Sequence, residues 1–289
     1  MSSNATSVSA ARAALESVPQ EPGSAKPDPI LVADSVTRTF GGLTAVDVAH
    51  FEVQRGAITA LIGPNGAGKT TLFNLLTGFD KPDTGEWTFE GRNLAGVPAY
   101  KVARIGMVRT FQLTKALSKM SVLDNMRLGA PQQRGESFWT SLLPFTWGSQ
   151  EKDITAKARD LLGHFKLADK EEDFAGSLSG GQRKLLEMAR ALMVDPHLVM
   201  LDEPMAGVNP ALKQSLLDHI RELRDDGTTV LFVEHDMDMV RDISDWVVVM
   251  GQGRIIAEGP PEEVMKSQAV IDAYLGEHHD ASLDTGEGQ

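Results

Sequence analysis

Gly63-Pro64-Asn65-Gly66-Ala67-Gly68-Lys69-Thr70 fits the pattern G-x-x-x-x-G-K-[ST]. A short apolar run, Ala57 to Ile62, precedes it, and a helical pattern starting near Thr71 follows it. Strand, glycine-rich loop and helix together form the setting in which this pattern cradles phosphate. Glycines let the backbone wrap closely and turn its N–H groups inward. The helix that follows aims its positive dipole end at the same spot. Lys69 reaches the β- and γ-phosphates as a point charge, and Thr70 offers a hydroxyl to Mg²⁺. The loop implies a nucleoside triphosphate and leaves the chemistry open.

Reading outward, Ala57–Ile62 is apolar without alternation, as expected of a strand buried on both faces. Similar runs recur at Leu198–Leu201, Thr228–Val233 and Trp246–Met250. Helical patterns lie among them at Thr71–Leu76, Ile154–Phe165, Gln182–Val194 and Leu212–Arg224. Buried strands alternating with helices predict an α/β fold with a mainly parallel sheet. Ahead of the loop, Ile30–Phe40 and Thr44–Val53 flank Gly41-Gly42, a hairpin signal that predicts an N-terminal antiparallel β subdomain. Residues from about 95 to 178 carry helical signals and few strand signals, and predict an inserted helical subdomain.

The 289 residues hold 28 Lys+Arg against 40 Asp+Glu, a formal charge of −12. That balance argues against a nucleic-acid partner, whose binding rests on Lys and Arg neutralising phosphates. It does not argue against the loop, because backbone amides and one lysine bind phosphate locally, whereas net charge governs solubility and non-specific partners. Zero Cys excludes a disulfide scaffold, a thiol nucleophile and any cysteine metal site. No apolar run approaches the ~20 residues of a spanning helix, and no export signal is legible at the N-terminus. The protein is expected to be soluble or peripheral, with any membrane crossing done by other chains. Residues 1–29, rich in Ala, Ser and Pro, and residues 277–289, acidic without Lys or Arg, are expected to be a disordered and a flexible tail around one domain at 30–276.

Two further motifs bear on chemistry. Leu198-Val199-Met200-Leu201-Asp202-Glu203-Pro204 is an apolar run ending in two acids. An Asp at the end of a buried parallel strand beside a phosphate loop can hold Mg²⁺, and Thr70 with Asp202 supplies hard oxygen ligands suited to that ion. Glu203 is placed to polarise an attacking water. Leu178-Ser179-Gly180-Gly181-Gln182 opens the helix that begins near Gln182, with Ser179 as N-cap. Its two glycines expose amides at a second anion-seeking helix end. One loop already cradles one nucleotide, so this second end calls for another. A head-to-tail dimer, in which each protomer's Ser179–Gln182 faces the other's triphosphate, answers that need.

With these motifs in this order, residues 30–276 resemble the nucleotide-binding subunit of an ABC transporter. Leu178–Gln182 matches that family's signature motif. The resemblance implies a P-loop NTPase core, ATP and Mg²⁺ as cofactors, and ATPase activity coupled to transport. It implies that Gly63, Asn65, Gly66, Ala67, Gly68, Lys69, Thr70 and Thr71 hold the phosphates with Ser179, Gly180, Gly181 and Gln182. It also implies that Phe40 stacks on adenine. Gln112, in Arg109-Thr110-Phe111-Gln112, matches the glutamine that contacts Mg²⁺ and links to the membrane subunit. His235, after the strand Thr228–Val233, matches the switch histidine at the γ-phosphate, so Glu203, His235 and Gln112 form the implied catalytic set and Thr70, Gln112 and Asp202 the metal set. One departure is visible: Met205-Ala206-Gly207-Val208-Asn209 ends in Asn where the broader family more often has Asp. This puts the strength of coupling between the two sites of the dimer in doubt, not the fold.

Finer features resemble the ATPase subunits of branched-chain amino acid importers: Gly106–Gln112, Met120–Asn125, Glu234-His235-Asp236-Met237 and Val270–Gly276. The stretch holding Phe138, Trp139, Phe145 and Trp147 also resembles that branch, and reads either as a loop packed on the helical subdomain or as a contact to a membrane subunit or lipid. The resemblance implies a second ATPase subunit (copy or paralogue), transmembrane permease subunits, an indirect substrate-binding protein, and a peripheral place on the cytoplasmic face of the plasma membrane. Alternative readings are the ATPase subunit of an ABC exporter, a soluble non-transport ABC ATPase working on DNA or ribosomes, and a non-catalytic regulator.

Overall fold

In a computed structural model, the structure describes residues 10–110, 117–131 and 148–283. Two sheets organise them. The first is antiparallel, ordered β2-β1-β4-β5, from β1 (Pro29–Phe40), β2 (Leu43–Gln54), β4 (Thr84–Phe89) and β5 (Arg92–Asn93). The second is ordered β10-β9-β3-β8-β7-β6, from β3 (Ile58–Ile62), β6 (Met107–Arg109), β7 (Leu198–Asp202), β8 (Thr229–Val233), β9 (Trp246–Gly251) and β10 (Arg254–Gly259). All its pairings are parallel except β9 with β10.

The non-alternating strands are explained by two cores, one on each face of this sheet. On β3, Ile58, Ala60 and Ile62 enter one core while Leu61 enters the other. On β8, Val230 and Phe232 face one way and Leu231 and Val233 the other. Successive strand residues point to opposite faces, so a strand covered on both sides carries apolar residues on both. The helices are α1 (residues 10–16), α2 (Lys69–Leu76), α3 (Ala99–Arg104), α4 (Val122–Leu128), α5 (Gly148–His164), α6 (Gly180–Ala191), α7 (Pro210–Asp225), α8 (Met237–Ile243), α9 (Pro261–Val264) and α10 (Gln268–Leu283). The antiparallel sheet and α2 pack on one face of the parallel sheet, and α4 to α8 pack on the other. Among the described residues no helix is long and apolar enough to cross a membrane.

Three boundaries differ from the sequence reading. Residues 95–178 hold α3, α4 and α5, but also β6, an edge strand of the parallel sheet; three residues are too few to show periodicity. α10 runs to Leu283, past the expected start of the tail. Residues 10–29 are not disordered. Ala11, Leu15 and Val18 are buried, Leu15 and Val18 within the core shared with the antiparallel sheet.

Charge then fixes this N-terminal strap. Lys26 Nζ lies 3.0 Å from Glu258 Oε2, with both side chains 1% exposed, and donates to Ser24 O at 2.6 Å. The same carboxylate accepts from Ser24 N and Trp246 Nε1. Arg12 reaches Asp245 at 2.6 Å. Removing one member of a buried ion pair strands the other and costs about 3–5 kcal/mol. Lys26→Ala is therefore expected to lower the thermal midpoint by roughly 10 °C, at ~2–4 °C per kcal/mol for a protein of this size. A shift below about 2 °C in a thermal melt would mean that the strap is not part of the cooperative fold.

Candidate functional site

The strand order sets the site. β3 lies between β8 and β9, and β7 lies next to β8. Leu61 pairs with Val233, and Val233 pairs with Asp202. The carboxyl ends of β3, β7 and β8 therefore form one row along one edge of the sheet, with neighbours about 4.8 Å apart. The phosphate loop, Asp202-Glu203 and His235 each leave from that edge, which is where open α/β sheets bind ligands.

The loop is held by close backbone contacts that only glycine permits. Gly63 has φ 148°, and a Cβ there would lie 2.1 Å from Met250 O. Gly68 has φ 98°, and its Cβ would lie 2.2 Å from Ala45 O, on β2. Gly253 N donates to Ala67 O at 3.0 Å. The loop is thus clamped between the two sheets. Gly68 is the N-cap of α2 and brings no side chain to its first turn, so the amide end of that helix faces outward toward any anion. Lys69 Nζ donates to Gly63 O at 2.7 Å and to Pro64 O at 2.9 Å, folded over the loop it belongs to. Asn65, Gly66 and Thr70 are exposed, Thr71 is half-buried, and Ala67 is buried.

Asp202 ends β7 as expected, and it has a partner that its own strand does not announce. Arg109 of β6 donates from Nη2 to Asp202 Oδ2 at 2.5 Å and from Nη1 to Asn74 Oδ1 of α2 at 2.6 Å. One guanidinium thus joins the acidic strand to the helix behind the phosphate loop. Glu203 is exposed and sits at φ 45°, the left-handed region, which costs a non-glycine residue about 1–2 kcal/mol. Its N–H donates to Val233 O at 3.0 Å and the following Pro204 is buried. This bend turns the Glu203 side chain out of the strand's direction at the sheet edge.

His235 is exposed, with Nδ1 3.7 Å from the buried Glu234 carboxylate. Asp236 caps α8 by accepting from Met239 N. Lys213 of α7 lies 2.8 Å from Asp236 and, by hydrogen bonding first and the Met239 amide next, holds its carboxyl below the usual range. The same pairing raises Lys213.

The helix end at Ser179 is capped as the sequence implies. Ser179 Oγ accepts from Gln182 N at 3.3 Å and Gln182 Oε1 accepts from Ser179 N at 3.0 Å, a capping box. Ser179 and Gly180 are exposed. Gly181 has a packing reason to be glycine: its Cβ would lie 2.4 Å from Leu212 Cδ1 of α7. Gly180 approaches Gly207 O. This helix end packs on the segment after Glu203, while the phosphate loop packs on Ala45, Met250 and Gly253. Asn209, the departure noted in the sequence, caps α7 by accepting from Leu212 N at 3.0 Å.

Phe40 is 47% exposed at the end of β1, with the Arg38 guanidinium 4.5 Å from its ring centre. Gln112 and the aromatics Phe138, Trp139, Phe145 and Trp147 lie outside the described residues. Sequence reasoning did not assign roles to Arg109, Asn74, Lys213 and Glu234. An arginine three residues before Gln112 and an acid directly before His235 were the available signals. The donors fit Mg²⁺, since the Thr70 hydroxyl and the Asp202 carboxylate are hard oxygens near one edge.

The geometry agrees with comparisons to known proteins. Residues 46–206 match the ABC transporter family model, and residues 254–280 match that of the branched-chain amino acid ATP-binding cassette transporter. The protein is 41% identical over 257 residues to a probable branched-chain amino acid transport ATP-binding protein, LivG, of Archaeoglobus fulgidus, covering 89% of its own length and 99% of that relative. It is 40% identical over 251 residues to the high-affinity LivG protein of Salmonella typhimurium, covering 86% and 98%. Among solved structures it is similar to a nucleotide-free ATP-binding cassette from an ABC transporter, with TM-score 0.76, 38% identity and coverage of 85% and 98%. It is also similar to the ADP conformation of such a cassette, with TM-score 0.75, 37% identity and coverage of 86% and 99%. A phosphate loop, an acidic strand end and a glycine-opened helix on this sheet, with those matches across most of the sequence, place the protein in the family of ABC transporter ATP-binding subunits.

Proposed function

We propose that this ABC ATPase powers an importer for branched-chain or related amino acids, from the cytoplasmic face of the membrane. The observation that carries the substrate class is the match of residues 254–280 to the family of branched-chain amino acid ATP-binding cassette transporters, supported by relatives named for that transport. The protein binds nucleotide and hydrolyses ATP. Its partners are permease subunits, a second ATPase subunit (copy or paralogue) and, through the permease, a substrate-binding protein.

Lys69 and the amides of Gly63–Thr71 bind the phosphates. A nucleotide requires Lys69 to exchange its two carbonyl partners for phosphate oxygens, which are stronger acceptors because they carry charge. Thr70 and Asp202, with Gln112, would hold Mg²⁺, which supplies neutralisation of phosphate charge when bound. Glu203 accepts a hydrogen bond from the attacking water and orients it for in-line attack, and His235 donates to the transferring group. The signature helix end of the second subunit adds amide donors from the other side. Catalysis is then positioning and electrostatics. Arg109 holds Asp202 in place, and Phe40, exposed at the end of β1, stacks on the base.

Native-membrane purification with a tag on this protein tests the reading. Permease subunits and a second ATPase subunit are expected, and a binding protein from the same cells should saturate with a branched-chain amino acid. Permeases with no binding protein would indicate export. Ribosomes or DNA in place of permeases would remove the transport role.

A further inference from the structure

We propose that Glu234 is a positioning residue for hydrolysis, its single carboxylate fixing the Glu203 loop and the His235 loop as one body. The proposal rests on the reading that Glu203 and His235 act on ATP. Glu234 follows the last residue of β8 and is 1% exposed. Its Oε1 accepts from Met205 N at 2.9 Å, two residues after Glu203. Its Oε2 accepts from His235 N at 3.1 Å and lies 3.7 Å from His235 Nδ1. Both oxygens therefore serve backbone donors, one on each loop. A further tie runs in parallel, Glu203 N to Val233 O at 3.0 Å, and Lys213 of α7 holds Asp236, next to His235, at 2.8 Å. Glu234 is the buried centre of this set, and the only member with a hydrogen bond to each loop from one side chain.

The chemistry of the pair makes a clean test. A glutamine at this position has the same shape but one acceptor oxygen and one NH₂ group. Whichever way the amide turns, its NH₂ meets a backbone N–H, so one loop is released. Misplacing a reacting group by about 1 Å costs on the order of 100-fold in rate. Glu234→Gln is expected to lower kcat about 10- to 100-fold, with ATP affinity within about twofold of the natural protein, because Lys69 and the phosphate loop are untouched. Glu234→Asp keeps the charge but is one methylene shorter and can serve one loop, not both. It is expected to show the same split, and decides the matter if the glutamine variant does not fold.

The experiment measures single-turnover hydrolysis, ATP affinity and thermal midpoint for both variants, alone and with His235→Ala. Acting through the two loops, Glu234→Gln and His235→Ala should together lose at least about threefold less than the product of their separate losses. A natural kcat in both Glu234 variants overturns the proposal. So does a kcat loss matched by lost ATP affinity, or full additivity with His235→Ala. A Glu203→Gln variant that hydrolyses normally would instead remove the underlying reading, so the two failures are distinguishable.

Discussion

Glu203→Gln is expected to cut ATP hydrolysis by about 10²–10⁴-fold, the range typical of losing a positioned proton acceptor, while leaving ATP bound. In barrier terms this is about 3–5 kcal/mol. The asymmetry follows from where Glu203 sits. It follows Asp202 at the sheet edge, is exposed, and is bent out of the strand at φ 45° by its hydrogen bond to Val233 and by the buried Pro204. In the proposed mechanism phosphate binding is done elsewhere, by Lys69 and the amides of the loop. Glutamine keeps the volume and one acceptor but loses the charge that draws a proton from water. Binding without turnover should trap an ATP-bound dimer, visible as a shift in gel filtration with MgATP. Hydrolysis at more than about a tenth of the natural rate would remove Glu203 as the key acid.

Lys69→Ala is expected to act on the other half of the cycle and weaken ATP itself by about 100-fold. A hydrogen bond to a charged partner contributes about 1.5–3 kcal/mol, and ~2.7 kcal/mol corresponds to that factor. Lys69 bonds Gly63 O and Pro64 O in this structure, so its removal also frees two loop carbonyls. Gly63 is buried and Pro64 half-buried, so the freed carbonyls cost some stability, while the glycine contacts to Ala45 and Met250 keep the loop in place. Calorimetric titration with a non-hydrolysable ATP analogue checks this. Unchanged affinity would sink the assignment of the phosphate loop. The contrast between the two variants is itself informative: one loses rate at constant affinity, the other loses affinity first.

Much of the site was legible because its parts are contiguous. A loop that needs glycine at set positions, a strand that ends in two acids and a helix that opens on a capping box each concentrate their information within a few residues. The loop at Gly63–Thr70, the strand end at Asp202-Glu203 and the Ser179 cap all appear where the sequence places them. Strand periodicity was legible for the same reason. β3, β7, β8 and β9 are largely apolar without alternation because both faces are covered, and that pattern is local. β4, β6 and β10 were not singled out: they are short or mixed, and their pairing is set by neighbours far along the sequence.

Composition misled at residues 10–29. A segment rich in Ala, Ser and Pro without periodicity reads as disordered, yet Leu15 and Val18 reach a core and Lys26 finds Glu258 on β10. The charge of −12 carried no information on the loop, since an anion site made of backbone amides is invisible to any count of side chains.

The sequence by itself determined the phosphate loop, the acidic strand end, the capped helix and the covered sheet, because each is a demand of local backbone geometry or of period-two burial. Only the tertiary structure decided how these parts are joined. Arg109 bridges Asp202 and Asn74, Glu234 holds two loops, Gly181 makes room for Leu212, and Lys26 locks the N-terminal strap. Apart from the bond of Glu234 to its neighbour His235, each of these pairs residues distant in sequence. Such pairs form only once packing has offset the entropy of bringing them together, and no local pattern in the sequence records them.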